Sequence, residues 1–345
     1  MKKILFLAPH NYELSSNIKK ELERQGNDVT YIQDFALKYD PSLKSKNILI
    51  TILKKLLSYT VKSLKQYWKE NIDRGGLNDQ YDIFFCINGY SFDKVLLEHL
   101  KRVNSSIRSV LYLWDSTNLY KFQKNFIFFD KIYSFDEVDA KKYNISYLPL
   151  FWEGKGSYQE LPINPKVFFV GSIHSDRFYI LQRIEEQLKL KNIDYYIKLH
   201  LPRLNPPLFK LRYYFYCLLK VENFNKDKYE IIHGKKKCNF ATFDSIPYSI
   251  FEKEMASCTC VIDIEQPMQS GITSRMIAAL ASNKKIITTN YNIKSSVFYD
   301  SDRILIIDRK NPSLDENFVN SIKSLKPLTC LQNLRLDHWL TIILK

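Results

Sequence analysis

Short apolar runs of strand length alternate with amphipathic segments of helix length along the first part of the chain. The apolar runs cover residues 3–8, 29–32, 81–87, 109–114 and 132–135. The segments between them, such as 14–25 and 92–103, carry apolar residues at helical spacing. Strands that alternate with helices predict a parallel α/β sheet with right-handed crossovers. Each run ends in polar residues, as expected at the ligand-binding edge of a doubly wound sheet.

A second series of runs follows a break in this pattern at residues 152–165, where two glycines and two prolines indicate a linker. The runs of the second series cover residues 167–170, 195–199, 258–264, 286–289 and 304–308. The sequence therefore predicts an α/β fold with two Rossmann-like, doubly wound domains at 1–151 and 166–327. An amphipathic segment at 328–345 follows them.

The loop after the run at 258–264 has the composition of an anion-binding site. It leads into a helical pattern that opens at Gly271. Helix N-termini bind anions because their backbone N–H groups are unpaired and the helix dipole is positive there. Ser270 and Thr273 add hydroxyl donors, and Arg275 adds a guanidinium that can bind phosphate through two hydrogen bonds. A β-α-β unit without a ligand would contain the same elements.

A second strand-to-helix turn, after the run at 167–170, has similar chemistry. Gly171 and Ser172 follow the strand, and Arg177 begins the next predicted helix. Glycine, serine and arginine at such a turn favour a phosphate neighbour. His174 is a weaker candidate in the same loop, and a purely structural turn would also have this composition.

Two side chains in the first domain are candidates for a catalytic base. Asp115 follows Trp114 at the end of a predicted strand, and partial desolvation there would suit general-base work. His10 follows the first strand and can act as a base or contact an acceptor. The alternatives are a turn or helix-capping role for Asp115 and a loop position without a role for His10.

The string DIEQPMQSGITSRMIAALASNKKIITTN at 263–290 resembles the donor-binding segment of GT-B-fold glycosyltransferases. The resemblance is to a bacterial group associated with lipopolysaccharide and capsular polysaccharide synthesis, in which the loop reads Gln-Ser-Gly-Leu-Thr-x-Arg. It adds Gln269 to the donor-binding candidates. A helix glutamate of that group grips the nucleotide ribose, but this chain has Ala278 at that position, which leaves Glu265 as the nearest acid. The run YLWDS around Asp115 resembles the same group.

The resemblance implies two domains that face each other across a cleft, with the final helix, in 328–345, returning to the first domain. It implies transfer of a sugar from a nucleotide-activated donor to a lipopolysaccharide, lipooligosaccharide or capsule acceptor. The donor is a co-substrate, and neither a cofactor nor a metal is expected. Helix N-termini with Ser270, Thr273 and Arg275 can stabilise the leaving diphosphate instead. The sugar, the nucleotide and the stereochemistry of transfer stay open.

Composition and charge indicate a globular chain with an acidic partner. The 345 residues are 45% hydrophobic and carry a formal net charge of +14. Nucleic acid, an anionic membrane and a phosphorylated substrate all fit this charge. We expect no nucleic-acid partner, because no RNA-binding signature accompanies the basic residues. The six cysteines lack Cys-x-x-Cys spacing and indicate reduced core residues.

Two basic segments with apolar faces indicate peripheral contact with an anionic membrane. Residues 47–70 place five lysines beside apolar residues at helical spacing, and residues 201–220 combine basic and aromatic side chains with prolines. A core-packed helix with a solvated lysine face would explain 47–70 equally well. No apolar run has the length of a membrane span, and the N-terminus lacks a signal-peptide pattern. We therefore expect a cytoplasmic protein on the inner face of the cytoplasmic membrane.

Two other functions fit the same features. A nucleotide-sugar epimerase or hydrolase on this scaffold would need no membrane surface, so the basic segments argue against it. A non-catalytic protein could instead bind anionic glycan or nucleic acid through its basic face. Its binding would fall steeply with salt, and no donor would be consumed.

Overall fold

The computed structural model describes residues 1–9, 14–34, 64–75, 77–153, 164–201, 230–231, 235–244, 246–321, 325 and 328–345. The chain divides into two compact units. Unit 1 is Met1–Glu153 with Asn333–Lys345, and unit 2 is Gly154–Gln332. The candidate base His10 lies outside the described residues. So do residues 47–63 and 202–220, which make up most of the two predicted membrane segments.

Unit 1 is built on a six-stranded sheet with the order β2-β1-β3-β4-β5-β6, in which every pair of neighbours is parallel. Its strands are β1 (Lys3–Pro9), β2 (Asp28–Asp34), β3 (Ile83–Ile87), β4 (Arg108–Leu113), β5 (Lys131–Ser134) and β6 (Ser146–Tyr147). The helices among its described residues are α1 (Leu14–Arg24), α2 (Leu64–Asp73), α3 (Lys94–Val103), α4 (Glu137–Tyr143) and the C-terminal α9 (Leu336–Leu344). The strand order reverses between β1 and β3, which is where doubly wound sheets bind ligands.

Helix α9 completes the core of unit 1. Trp339 is fully buried, and its ring centroid lies 4.7 Å from that of Tyr112 and 4.9 Å from that of Phe151. Its indole Nε1 donates to the carbonyl oxygen of Pro149 at 3.0 Å. The last residues of the chain are therefore part of the first unit's core.

Unit 2 also contains a six-stranded parallel sheet, with the order β12-β11-β10-β7-β8-β9. Its strands are β7 (Lys166–Ser172), β8 (Asp194–His200), β9 (Ala241–Thr242), β10 (Cys260–Asp263), β11 (Lys285–Thr288) and β12 (Ile304–Ile306). The helices among its described residues are α5 (Arg177–Leu190), α6 (Tyr248–Ser257), α7 (Ser274–Ala281) and α8 (Glu316–Asn320). The two parallel sheets confirm the predicted α/β class with two Rossmann-like domains.

Several predicted boundaries differ from the structure for local reasons. Helix α7 begins at Ser274 instead of Gly271, because Thr273 occupies the N-cap. The short strand β6 was not among the predicted runs, and Pro149 just beyond it has no N–H to donate to a sheet ladder. Gly171, expected in a loop, belongs to the end of β7.

The described residues show no group of metal-ligating side chains that could hold an ion. None of the described helices combines the length and the apolar character that crossing a bilayer requires. The cysteines at 86, 238, 258, 260 and 330 are free thiols, and burial raises the pKa of Cys258 to about 12. Cys86, Cys258 and Cys260 are buried, as predicted for core residues, whereas Cys238 is half-buried and Cys330 is exposed.

Candidate anion-binding site

The carboxyl ends of β7, β10, β11 and β12 are neighbours in unit 2, because these adjacent strands all run parallel. Polar residues lie where the strands end: Asp263 is the last residue of β10, Thr289 follows β11, and Arg309 comes shortly after β12. We call the carboxyl ends of these four strands, with the polar residues beside them, the carboxyl edge of unit 2. Helix α7 begins in the loop that follows β10.

Asp263 is the centre of this edge, and its side chain is fully buried. Its Oδ1 accepts hydrogen bonds from Thr273 Oγ1 at 2.6 Å and from Arg275 Nη1 at 2.9 Å. Arg275 Nε also donates to the carbonyl oxygen of Val170 at 3.0 Å, and its guanidinium lies 4.7 Å from the centroid of the Phe169 ring. Since a buried carboxylate is stable only with such partners, Arg275 ties together β7, β10 and α7.

The second oxygen of the same carboxylate has no hydrogen-bond partner in the part of the chain that the structure describes. Asp263 Oδ2 is buried, and no described residue forms a hydrogen bond with it. Unsatisfied buried polar atoms are uncommon in native proteins, and functional sites are one place where they occur. The pairing at Oδ1 and the orphaned Oδ2 together set this carboxylate apart from a simple structural ion pair.

Two side chains fix the loop that leads into α7. Thr273 Oγ1 accepts from the backbone N–H of Met276 at 3.1 Å, so the threonine that donates to the buried aspartate also caps the helix. Asn290, after β11, donates from Nδ2 to the carbonyl oxygens of Ser270 at 3.1 Å and Gly271 at 3.3 Å. The backbone N–H of Gln269 donates to the carbonyl oxygen of Gln266 at 2.8 Å. The predicted loop is thus fixed at the carboxyl edge by hydrogen bonds of Thr273 at its end and of Asn290 after β11.

Gly171 permits two arginines to approach the end of β7. A Cβ atom at this position would lie 2.6 Å from Arg275 Nη2 and 3.2 Å from Arg177 Nη1. Cβ atoms essentially never make contacts as short as the first, so a larger residue would displace the Arg275 guanidinium. The glycine of the turn that was predicted to favour a phosphate neighbour therefore makes room for two of the protein's own cations.

Arg177 is a buried cation that donates hydrogen bonds to backbone carbonyl oxygens at the carboxyl edge. It is only 5% exposed, and it donates from Nη1 to the carbonyl oxygen of Ser172 at 2.7 Å and from Nη2 to that of Ile264. Burial, and then the charge of Arg275, lower the pKa of Arg177 to about 9, so the side chain remains a cation at neutral pH. These contacts give Arg177 a role in joining the ends of β7 and β10.

Arg309 and its partners form a second polar group on this edge. Arg309 Nη2 donates to the carbonyl oxygen of Glu265 at 2.9 Å, to the Glu265 carboxylate and to Thr289 Oγ1 at 3.1 Å. Its Nη1 donates to Asp176 Oδ1 at 2.6 Å. Burial raises the pKa of Glu265, although Thr289 and Arg309 oppose that shift. Glu265, which was considered for ribose binding, thus forms hydrogen bonds with Arg309 and Thr289.

In unit 1, Asp115 lies in a network at the ends of β3 and β4. Its Oδ2 accepts from Asn88 Nδ2 at 2.8 Å and from the hydroxyl of Tyr90. Asn88 is fully buried, adopts a left-handed backbone with φ 58°, and accepts at Oδ1 from the backbone N–H of Trp114 at 2.9 Å. Burial, and then the charge of Asp115, raise the pKa of Tyr90 well above its usual value, so the phenol is a hydrogen-bond donor at neutral pH. The carboxylate of Asp115 therefore has a fixed orientation.

No family model matches the sequence, and no curated protein matches it. Solved structures do match. A UDP-forming alpha,alpha-trehalose-phosphate synthase from Burkholderia xenovorans, in complex with glucose-6-phosphate, superposes with a TM-score of 0.55 at 9% identity over 99% of each chain. The N-terminal domain of Candida albicans trehalose-6-phosphate phosphatase gives a TM-score of 0.54 at 9% identity, covering 100% of this chain and 96% of that one.

A trehalose-6-phosphate synthase studied for enzymatic glycosyl transfer with retention gives a TM-score of 0.50 at 11% identity. It covers 99% of this chain and 95% of that chain. At these identities the likeness concerns the fold, and it matches the GT-B fold predicted from the sequence.

The structure brings most of the predicted donor-binding residues of unit 2 to one sheet edge. Gly171, Ser172 and Arg177 come from β7 and the start of α5, and the others come from the loop after β10 and the first turn of α7. Asp263 and Arg309 were missed. Both had a signal in the sequence, since each lies at or just beyond the carboxyl end of a predicted strand.

Proposed function

We propose that this protein is a glycosyltransferase. In the proposed reaction, the carboxyl edge of unit 2 binds a nucleotide-activated sugar, and the sugar passes to a hydroxyl group of a cell-surface glycan acceptor. Lipopolysaccharide, lipooligosaccharide and capsule precursors are the acceptors that the motif at 263–290 favours. The matched folds belong to proteins that include a UDP-forming synthase, which supports the choice of a nucleotide-sugar donor.

One observation carries the proposal: the buried Asp263 holds Thr273 and Arg275 at the N-terminus of α7. The carboxylate orients the guanidinium, and the N-terminal end of the helix adds a positive electrostatic potential beside it. Charge that develops on a leaving diphosphate would be stabilised by such preorganised groups, with no reorganisation during the reaction. The proposed mechanism therefore requires no metal.

Asp115 is the proposed base of unit 1. If the reaction inverts the anomeric centre, the acceptor hydroxyl must lose a proton to a correctly placed base. The hydrogen bonds from Asn88 and Tyr90 orient this carboxylate in the manner that such a role requires. In a reaction that retains configuration the same group would orient the acceptor. His10, which follows Pro9 in the sequence, stays a second candidate.

We further propose that the protein works on the cytoplasmic side of a membrane. The basic segments 47–70 and 201–220 would hold it against anionic lipid, close to a lipid-linked acceptor. A nucleotide-sugar epimerase or hydrolase would have no use for this surface.

Thermal melting of the purified protein with UDP, GDP, CMP, dTDP and ADP tests the proposal. A ligand that binds the folded protein raises the melting temperature. We expect one nucleotide to stabilise the protein selectively, and calorimetry with that nucleotide would then give its affinity. Absence of any shift at millimolar concentrations, together with no heat in calorimetry, would refute the nucleotide-sugar donor and favour the glycan-binding alternative.

A further inference from the structure

Arg309 is anchored firmly on one side of its guanidinium only. Nη2 donates to three acceptors of Glu265 and Thr289, both of which are buried. Nη1 donates to Asp176, whose side chain is 36% exposed. The two halves of the guanidinium therefore differ: one is fixed to the ends of β10 and β11, and the other is paired with a carboxylate that water can reach.

The carboxylate comes from a loop with unusual backbone geometry. Ser175, the residue before Asp176, has φ 44°, a left-handed conformation that is costly for a residue other than glycine. Asp176 stands at the N-cap of α5, yet its side chain makes no capping hydrogen bond. Aspartate at an N-cap ordinarily accepts from the helix backbone. Here it pairs with Arg309 and accepts from Ser175 Oγ at 3.3 Å instead.

The other two arginines of this edge are committed to internal partners. Arg275 joins Asp263 to the backbone of β7, and Arg177 is buried against two carbonyl oxygens. A phosphate that displaced the internal partners of either arginine would leave Asp263, or backbone carbonyls, unpaired in the interior, which is costly. Exchange at Arg309 Nη1 replaces one oxyanion by another and releases Asp176 to solvent.

We propose that Arg309 Nη1 binds a phosphate oxygen of the nucleoside diphosphate and that the Asp176 carboxylate competes with that phosphate. The choice of a nucleoside diphosphate as the ligand rests on the proposed function. Asp176 thereby lowers the affinity of the site for diphosphates and selects for ligands with enough charge to displace it. Because the pair is half-buried and water can reach Asp176, its net free energy is small, and this competition is modest and reversible.

Calorimetry at low salt with UDP, GDP, dTDP, ADP and pyrophosphate tests the competition. The variant is Asp176→Asn, which removes the competing charge. From the range measured for ion pairs that water can reach, we expect diphosphate to bind about 2- to 5-fold more tightly. Asp194→Asn is the matched control, because Asp194 is an exposed acid at the start of β8, at the opposite edge of the same sheet. The control should bind as the wild-type protein does.

Arg309→Gln tests the arginine itself. Loss of a charge-assisted hydrogen bond should weaken diphosphate binding by roughly 10- to 100-fold. In the Arg309→Gln background, Asp176→Asn should change the affinity much less than it does in the wild-type background. Arg309→Lys provides a second variant that keeps the charge near Glu265, and thermal melting of every variant checks that the fold is retained.

The outcomes separate this inference from the proposed function. Equal diphosphate affinity in the wild-type protein, Asp176→Asn and Arg309→Gln would overturn the inference while leaving a nucleotide donor site intact. If pyrophosphate follows the expected pattern and no nucleotide binds, the anion subsite is supported and the nucleotide donor is refuted. If the folded Asp176→Asn variant binds neither pyrophosphate nor any nucleotide, both ideas fail.

Discussion

Asp263 and Arg275 form the ion pair on which the geometry of the carboxyl edge of unit 2 depends. The side chain of Asp263 is fully buried, and that of Arg275 is 14% exposed. Replacing a buried pair by apolar groups can be neutral, but removing one partner leaves an uncompensated charge inside the protein. The pair thus makes the geometry of the site and the stability of unit 2 interdependent.

Arg275→Ala should destabilise unit 2 by roughly 3–5 kcal/mol, the range found when one member of a buried ion pair is removed. Hydrogen exchange of the peptides that cover β10 and α7 measures this loss. Adding Asp263→Asn to the variant should recover part of it, because the unpaired charge is then gone. Arg24→Ala, which breaks the pair of the exposed Arg24 with Glu21 in unit 1, is the control and should have little effect on these peptides. Unchanged exchange in Arg275→Ala would contradict the structural role of the pair.

Glu265 should make the stability of unit 2 depend on pH. Burial raises the pKa of Glu265 in the folded state above the ordinary value of 4.5. The stability that the protonated carboxyl contributes to the free energy of unfolding is therefore fully present at low pH and is lost as the pH rises through the folded pKa. We expect the melting temperature of the wild-type protein, relative to that of Glu265→Gln, to fall from about pH 4.5 upward. Glu186→Gln, at an exposed position on α5, is the control. A constant difference between wild type and Glu265→Gln across this pH range would be evidence against the raised pKa.

Asp115→Asn should lower turnover and leave donor affinity nearly unchanged, because the proposed base acts on the acceptor. The amide keeps the size of the side chain but cannot take up a proton. Tyr90→Phe removes one hydrogen bond to the same carboxylate and should have a smaller effect on turnover. Measurement of transfer with the donor found by melting checks this, and wild-type turnover in Asp115→Asn would exclude it as the base.

Among the secondary-structure elements, α9 has an importance that its position at the end of the chain does not suggest. Trp339 fills the space between β3, β4 and residue 151, and the backbone of Trp152 pairs with residues 334–336 next to the helix. Tyr133 and Arg108 donate to carbonyl oxygens near the end of α9. The helix is therefore held by its side chains and by its backbone.

Trp339→Ala should destabilise unit 1 by about 3–5 kcal/mol, the usual loss for a large aromatic residue removed from a core. All four tryptophans of the chain lie in unit 1, so urea unfolding followed by the fluorescence of the remaining three reports on this unit alone. Thr341→Ala on the exposed side of α9 is the control. A midpoint equal to that of the wild-type protein would mean that α9 is not part of the unit 1 core.

Considered over the entire chain, the net charge of +14 favours association with anionic surfaces. Attraction of this kind is screened by salt and depends on where the lysines are placed. The structure describes few residues of the two predicted membrane segments, so this part of the argument comes from the sequence.

Replacement of Lys54, Lys55, Lys62 and Lys65 by serine should reduce co-sedimentation with vesicles that contain anionic lipid. A loss of up to about 1 kcal/mol of binding free energy per lysine is the expected order of magnitude. The control removes four lysines that are exposed in the described structure, Lys94, Lys189, Lys253 and Lys310. Equal losses in both variants would show a general charge effect, and no loss in the first would exclude 47–70 as a membrane contact.

The sequence by itself determined the α/β class, the two Rossmann-like domains and most of the strands. This is possible because strand and helix periods are local: buried residues at 83–87 or 260–263 form apolar runs whatever they pack against. It also placed the candidate loop at 269–275, because glycine, hydroxyl and arginine in that order follow from the local needs of a helix N-terminus.

Only the tertiary structure decided what those side chains contact. Arg309 meets Glu265 across 44 positions of sequence, and Arg275 meets Val170 across 105. The periodicity of the sequence predicts neither contact, since both depend on the order of strands in the sheet. The same order buries Arg177, which the sequence placed beside a ligand, and makes Asp263 the centre of the edge. Contacts between adjacent strand ends are fixed by the order of the strands in the sheet, and the hydrophobic pattern along the sequence does not specify that order.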